Sequence, residues 1–266
     1  MVTKQPSGVG IDRRQYLRGV GAAGVTAVLA GCMGGGEDPE TIVGGTAPGF
    51  PPFEIKEGGE LAGFDIELFE AVVAESDYEF GGWVELEFDA LIPALQDERI
   101  DGIAAAMSIT DERDEQVDFS DPYYSTNQSV IVGEDDSVSP AALGDLAGSR
   151  IGVQEGTTGE GVVDSELIET GALQESNKRV YGNYTLAVQD LENGNIDAIV
   201  LDSPVAQTFA DQRAVVVAFV YETDERYGFA IREGDAARKD ALDAGLGALQ
   251  ESGAFDELVN RWFAGN

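Results

Sequence analysis

Histidine is absent from this 266-residue chain, cysteine occurs once, and 16 basic residues face 50 acidic ones. Each shortage excludes something. The single cysteine, Cys32, cannot form an intramolecular disulfide in any compartment. Without histidine or any metal-ligand spacing, catalysis has little to draw on, and neither a metal site nor a cofactor is expected. A net charge of −34 leaves nothing to neutralise phosphates, so nucleic acid is excluded as a partner. The mild apolar run VGAAGVTAVLA is too short and too rich in Gly and Ala to span a membrane comfortably.

What the chain does have is globular material. Apolar residues make up 43% of it and are spread along its length, enough for one large domain or two small ones. The acids are scattered among them, which reads as a solvated acidic surface over a folded body. Such a surface suits molar salt, where the Debye length shrinks to roughly 3 Å and self-repulsion is screened.

The first 40 residues are of another kind. DRRQYLRG (12–19) precedes the apolar run, and LAGC ends at Cys32. A basic segment before a short apolar one is a secretory signal; Arg13–Arg14 resembles the twin-arginine export signal and LAGC resembles a lipobox. Residues 1–31 are therefore expected to be a removed signal peptide, Cys32 a lipidation site, and 32–40 a flexible tether. Removal would leave 12 basic against 49 acidic residues, a net −37. The expected location is the extracellular face of the cell membrane, on a lipid anchor.

Beyond the tether, TIVGGT (41–46) reads as a strand, GFPPFEI as a Pro-stiffened loop, and GFDIELFEAVVAES as a helix with Ile66, Phe69 and Val73 on one face. YEFGGWVELEF reads as a strand, DALIPALQDER as a helix and IDGIAAAM as a buried strand. This alternation predicts α/β layering with largely parallel sheets. A weak internal echo follows: LQDERIDGIAAAMS (95–108) aligns with LENGNIDAIVLDSP (191–204) at an offset of 96. The fold predicted is therefore two similar Rossmann-like α/β lobes.

The echo also directs attention to a site, because ligands of parallel sheets bind beyond the carboxyl ends of strands. The first predicted strand ends at Ala106–Met107–Ser108, just before Thr110, which has the makings of an N-cap. Arg113 then falls at the positive end of a helix, where a cation costs a few tenths of a kcal/mol. Beside free N–H groups, however, arginine makes a strong grip for a planar carboxylate. The second strand ends at Asp202, which could hold an ammonium across the cleft. Together these outline an α-amino acid. Plainer readings stand beside each: Arg113 paired with Glu112 or Asp114 on the surface, Asp202 as an N-cap, GTTGEGV as a turn, and Phe50 and Phe88 as core.

Several stretches in order, GTAPGFPPFEI, GFDIELFEAV, DALIPALQDERIDGIAAAMSITDER, DFSDPYY, IGVQEGTTGE and NGNIDAIVLDSPVA, are similar to the type II periplasmic solute-binding proteins of ABC transporters, polar amino acid group. The resemblance covers about 41–264. It implies that Arg113 binds the ligand α-carboxylate with help from Ser108 and the backbone near Ala106. Thr157 and Thr158 would add donors from the second lobe, Asp202 would take the α-amino group, and Phe50 and Phe88 would sandwich the ligand. Ala47 stands where relatives preferring cationic side chains often carry an acid, and Gln154 and Glu155 stand where the second lobe of relatives usually meets the ligand side chain. A polar, non-cationic amino acid is expected on those grounds. The implied fold is that of a type II periplasmic binding protein, with lobe 1 at 41–128 and 225–266, lobe 2 at 129–224, and a hinge of two crossings. The implied function is that of a monomeric binding protein, not an enzyme, that delivers its amino acid to an ABC permease. Two rivals share the fold: an exported cyclohexadienyl or arogenate-type dehydratase, for which Glu155 is the imaginable general acid, and a sensory binding protein.

Overall fold

The apolar runs become strands and the 3.6-periodic segments become the helices that cover them. The computed structural model describes residues 40–135 and 139–263. Its first stretch of chain forms β1 (Thr41–Thr46), a small hairpin of β2 (Ile55–Glu57) and β3 (Glu60–Ala62), α1 (Phe64–Ala74) and β4 (Glu79–Glu85). Then come α2 (Leu91–Gln96), β5 (Gly102–Ile103), the single turn α3 (Asp111–Asp114) and β6 (Val117–Phe119). Strand β7 (Tyr124–Gly133) leads to β8 (Ile151–Gln154), α4 (Thr158–Val163), β9 (Lys178–Tyr181), α5 (Tyr184–Glu192), β10 (Ala198–Asp202) and α6 (Ser203–Gln212). The long β11 (Val215–Tyr227) returns to β12 (Ala230–Arg232), α7 (Ala236–Ser252) and α8 (Ala254–Phe263).

Two five-stranded mixed sheets result, ordered β4-β1-β5-β12-β6 and β11-β7-β10-β8-β9. In each, three consecutive strands reaching one edge run parallel, β4–β1–β5 in one and β10–β8–β9 in the other, as helix-linked strands must. The antiparallel partners are the strands that arrive from elsewhere in the chain. Each sheet supports a lobe. Strands β7 and β11 pair with each other from Tyr124↔Tyr227 to Val215↔Gly133 and carry the chain between them. Among the described residues no helix is long and apolar enough to cross a membrane.

The sequence echo is visible in hydrogen bonds. Asp101 accepts from the backbone N–H of Val43 (3.0 Å) and returns its own N–H to the Val43 carbonyl (2.7 Å). Asp197 does the same with Arg150 (2.7 and 2.8 Å). Each aspartate also holds an arginine, Arg232 for Asp101 and Arg150 for Asp197. The helix preceding each ends on a positive-φ residue, Glu98 at 59° and Gly194 at 70°, again 96 positions apart. The repeated Ile-Asp is thus a strand-entry clamp used once per lobe.

One prediction needs correction. IDGIAAAM does not continue as a strand: β5 is only Gly102–Ile103, because both neighbouring strands pair with those residues alone. Ala104 to Met107 stay buried but leave the sheet, and Ala106 takes a left-handed φ of 46°. Such a conformation costs on the order of 1–3 kcal/mol in a non-glycine residue. A 2.6 Å hydrogen bond from the Ala106 N–H to buried Asp65 Oδ2 helps hold it.

Candidate functional site

The departure of Ala104–Met107 from the sheet opens a cavity between the lobes. Its walls are Phe50, Glu54, Phe88, Ala105, Ala106, Ser108 and Arg113 from one side and Gln154, Thr157, Thr158 and Asp202 from the other. Every ligand contact expected from the sequence except Glu155 lies on this wall; Glu54 and Ala105 were not foreseen.

Arg113 sits at the boundary of the two lobes. Thr110 caps its turn, accepting from the Arg113 N–H at 3.2 Å. With one turn only, α3 has little macrodipole to oppose the cation, and burial is the greater cost: it lowers the guanidinium's affinity for its proton. Nη1 donates to the Ser108 carbonyl (2.7 Å) and Nη2 to the Gly156 carbonyl across the cleft (2.9 Å), while the group lies 5.2 Å from the Phe88 ring centroid. Among the described residues no carboxylate makes an ion pair with it, so the surface pairing with Glu112 or Asp114 does not occur. A buried cation without an anion is poised to take one.

Facing it, Asp202 is buried and its side chain does not cap α6; Oδ1 accepts from the Tyr227 hydroxyl at 2.6 Å instead. Burial above all, then repulsion from Glu225, pushes its carboxyl up to about 7. Ser108 differs from expectation. Its hydroxyl proton goes to Glu225 Oε2 at 2.6 Å, so the oxygen has lone pairs to offer a ligand, which suit an ammonium rather than a carboxylate. The Ala106 N–H, committed to Asp65, is likewise not a carboxylate donor. Thr157 is occupied as the cap of α4, accepting from the Glu160 N–H and donating to the Gln154 carbonyl.

The unoccupied polar atoms are elsewhere on the wall. Thr158 Oγ1, Gln154 Oε1 and Glu54 Oε2 are all buried without a hydrogen-bond partner within the protein. Buried polar atoms are nearly always paired, so three orphans on one cavity mark a place built for a polar guest. Glu54 is turned inward by a tight loop in which the Gly49 and Phe50 N–H groups both donate to its carbonyl (2.9 and 3.0 Å). Burial, with Asp65 and Asp202 nearby, raises its carboxyl well above the ordinary range. Its sequence signal was faint: one acid ending a Pro-rich loop. Phe50 packs 5.7 Å from Tyr184, making an apolar floor. Glu155 is exposed and off the cavity wall, which removes the candidate general acid. Among the described residues no cluster of three or more acids or cysteines is placed to hold a metal.

Residues 42–265 match the bacterial extracellular solute-binding proteins, family 3. The chain belongs to that family. A probable histidine-binding protein of Campylobacter jejuni is 38% identical over 226 residues, covering 84% of each chain. The structure of an ancestral arginine-binding protein bound to arginine superposes with a TM-score of 0.78 at 33% identity, covering 84% of this chain and 98% of that one. An ancestral amino acid-binding protein described as a precursor of cyclohexadienyl dehydratase gives a TM-score of 0.75 at 35% identity, over 84% and 95%. The last is itself named a binding protein, so the binding reading is better supported than the dehydratase one. The mixed α/β two-lobe architecture is the one these structures share with the chain. Relatives named for histidine and arginine give no support to excluding a cationic ligand, an expectation that rested on Ala47. Ala47 is buried but is not on the cavity wall, whereas Glu54, seven residues on, is.

Proposed function

We propose that this protein captures a cationic α-amino acid between its lobes and delivers it to an ABC importer. Charge balance on the cavity wall carries the reading. Arg113 would take the α-carboxylate through its two-pronged donors, Asp202 and the Ser108 lone pair the α-ammonium, and Glu54 a side-chain cation. A neutral polar side chain would pair Gln154 but would bring Glu54 no cation to offset the burial that opposes its ionisation. Phe50 and Phe88 supply rigid apolar area for the aliphatic part of the ligand. Named relatives that bind histidine and arginine support the same class.

The test is a thermal-shift screen of the twenty amino acids in molar KCl. A ligand at ~100 times its dissociation constant should add about 2.7 kcal/mol of stability. Arginine, lysine or histidine should give the largest shift, and Glu54→Gln should cost that ligand at least tenfold in affinity while sparing glutamine. A screen that responds only to neutral amino acids would return the choice to the polar reading.

Export by the twin-arginine route and lipidation of Cys32 are part of the same proposal; both fall outside the described residues, as do the signal and most of the tether. The net charge of −34 supports a salt-adapted protein. Dilution from molar KCl into low-salt buffer should therefore lower the melting temperature by tens of degrees, as acidic self-repulsion loses its screening. An unchanged melting curve would refute that adaptation.

A further inference from the structure

Glu225 lies in the second crossing between the lobes and is buried, 7% exposed, although it is an acid near the end of a strand. Strand β11 loses its pairing register between Tyr221 and Glu225, and Asp224 takes a φ of 51°. The N–H groups of Thr223 and Asp224, freed by that break, both donate to Asn127 Oδ1 (2.8 and 2.9 Å). The break turns the Glu225 carboxylate inward, where it accepts from three elements: Ser108 Oγ after β5 (2.6 Å), Gln128 Nε2 on β7 (2.9 Å) and Thr223 Oγ1 on its own strand (2.7 Å).

The bond from Gln128 stitches the two crossings together, and the bond from Thr223 braces the carboxylate within β11. The third reaches the cavity. A serine hydroxyl has a single proton, and where that proton goes decides what the oxygen can offer a ligand. We propose that Glu225 is a positioning residue of the ligand site, holding the Ser108 hydroxyl so that its lone pair, not its proton, is available to the ligand's ammonium. The proposal rests on the amino-acid reading above and adds a residue outside the cavity wall to it.

The substitution Glu225→Gln is nearly isosteric. The new amide oxygen keeps the bonds from Gln128 and Thr223, so its NH₂ must face Ser108. The hydroxyl then accepts from that NH₂ and its proton is free to point at the ligand. The expected result is a tenfold or greater loss of affinity for L-arginine with no loss for its des-amino analogue, 5-guanidinopentanoic acid, measured by calorimetry on the full chain. Ser108→Ala should give the same selective loss, and the double variant should be no worse than Ser108→Ala alone. Thr223→Val, which removes a different bond to the same carboxylate, should leave the amino preference intact; a merely structural role would predict that it behaves like Glu225→Gln. Glu225→Asp, too short to reach Ser108, serves if the amide variant does not fold. Where another amino acid gives the largest shift, it and its des-amino acid replace the arginine pair. Binding with an unchanged amino preference in both Glu225 variants overturns this proposal alone. No binding of any of the twenty amino acids by the wild type overturns the amino-acid reading and this proposal with it.

Discussion

Replacing Arg113 by alanine should abolish amino-acid binding while leaving the ligand-free melting temperature within a few degrees of wild type. The two halves of that expectation have one cause. Removing one partner of a buried charge pair costs about 3–5 kcal/mol, and in the complex the partner would be the ligand's carboxylate. That is a loss of roughly a hundred- to several-thousand-fold in affinity. In the ligand-free protein the guanidinium has no anion in contact and spends its donors on the carbonyls of Ser108 and Gly156. Its burial there is a cost, so its removal offsets the hydrogen bonds lost with it. Arg113→Lys should fall between, since an ammonium keeps the charge but lacks the fork. Calorimetric titration and a melting curve on the same preparations decide the matter; unchanged affinity in Arg113→Ala would sink the carboxylate role.

The second large effect is on pH, and it should run in opposite directions for folding and for binding. Burial raises Asp202 to about 7 and Asp65 to about 6, against ordinary values of 3.8, and Glu54 moves the same way. An acid whose folded value is raised binds more protons folded than unfolded. The contribution of these three buried acids to the stability of the ligand-free protein is therefore greatest at acidic pH and declines as pH rises from about 4 through about 7. For Asp202 a shift of about three units corresponds to about 4 kcal/mol. Binding needs the opposite state, because only ionised Asp202 holds an ammonium. Affinity should thus fall about tenfold per unit below pH 7, roughly a hundredfold by pH 5. Melting curves without ligand and dissociation constants from pH 5 to 8 test both arms. A dissociation constant that stays flat over that range would exclude Asp202 as the ammonium's partner.

Much of this architecture is legible in the amino-acid sequence. The alternation of apolar strands with periodic helices specified α/β layering, because such layers bury both faces of a parallel sheet, and the internal repeat divided it into two lobes. The Ile-Asp echo marked equivalent strand entries because each aspartate completes the same pair of bonds to the backbone of the neighbouring chain segment. Arg113 and Asp202 stood out because strand ends are where open α/β sheets present side chains to a ligand. Asp202 does end a strand, while Arg113 lies on the α3 turn beyond a strand shorter than expected.

Proton directions and through-space neighbours are another matter, since neither is encoded in any local window. That Ser108 offers a lone pair depends on Glu225, 117 positions away in sequence. That the Ala106 N–H is spent depends on Asp65, 41 positions away. Glu54, read as the end of a loop, becomes a buried carboxyl only because the loop closes on itself and the lobes meet over it. Periodicity and the internal repeat determined the lobes and brought forward Arg113 and Asp202, the two grips proposed for the ligand. Which polar atoms remain free to hold it was decided only when distant segments packed, because a hydrogen bond made inside the protein is one the ligand cannot have.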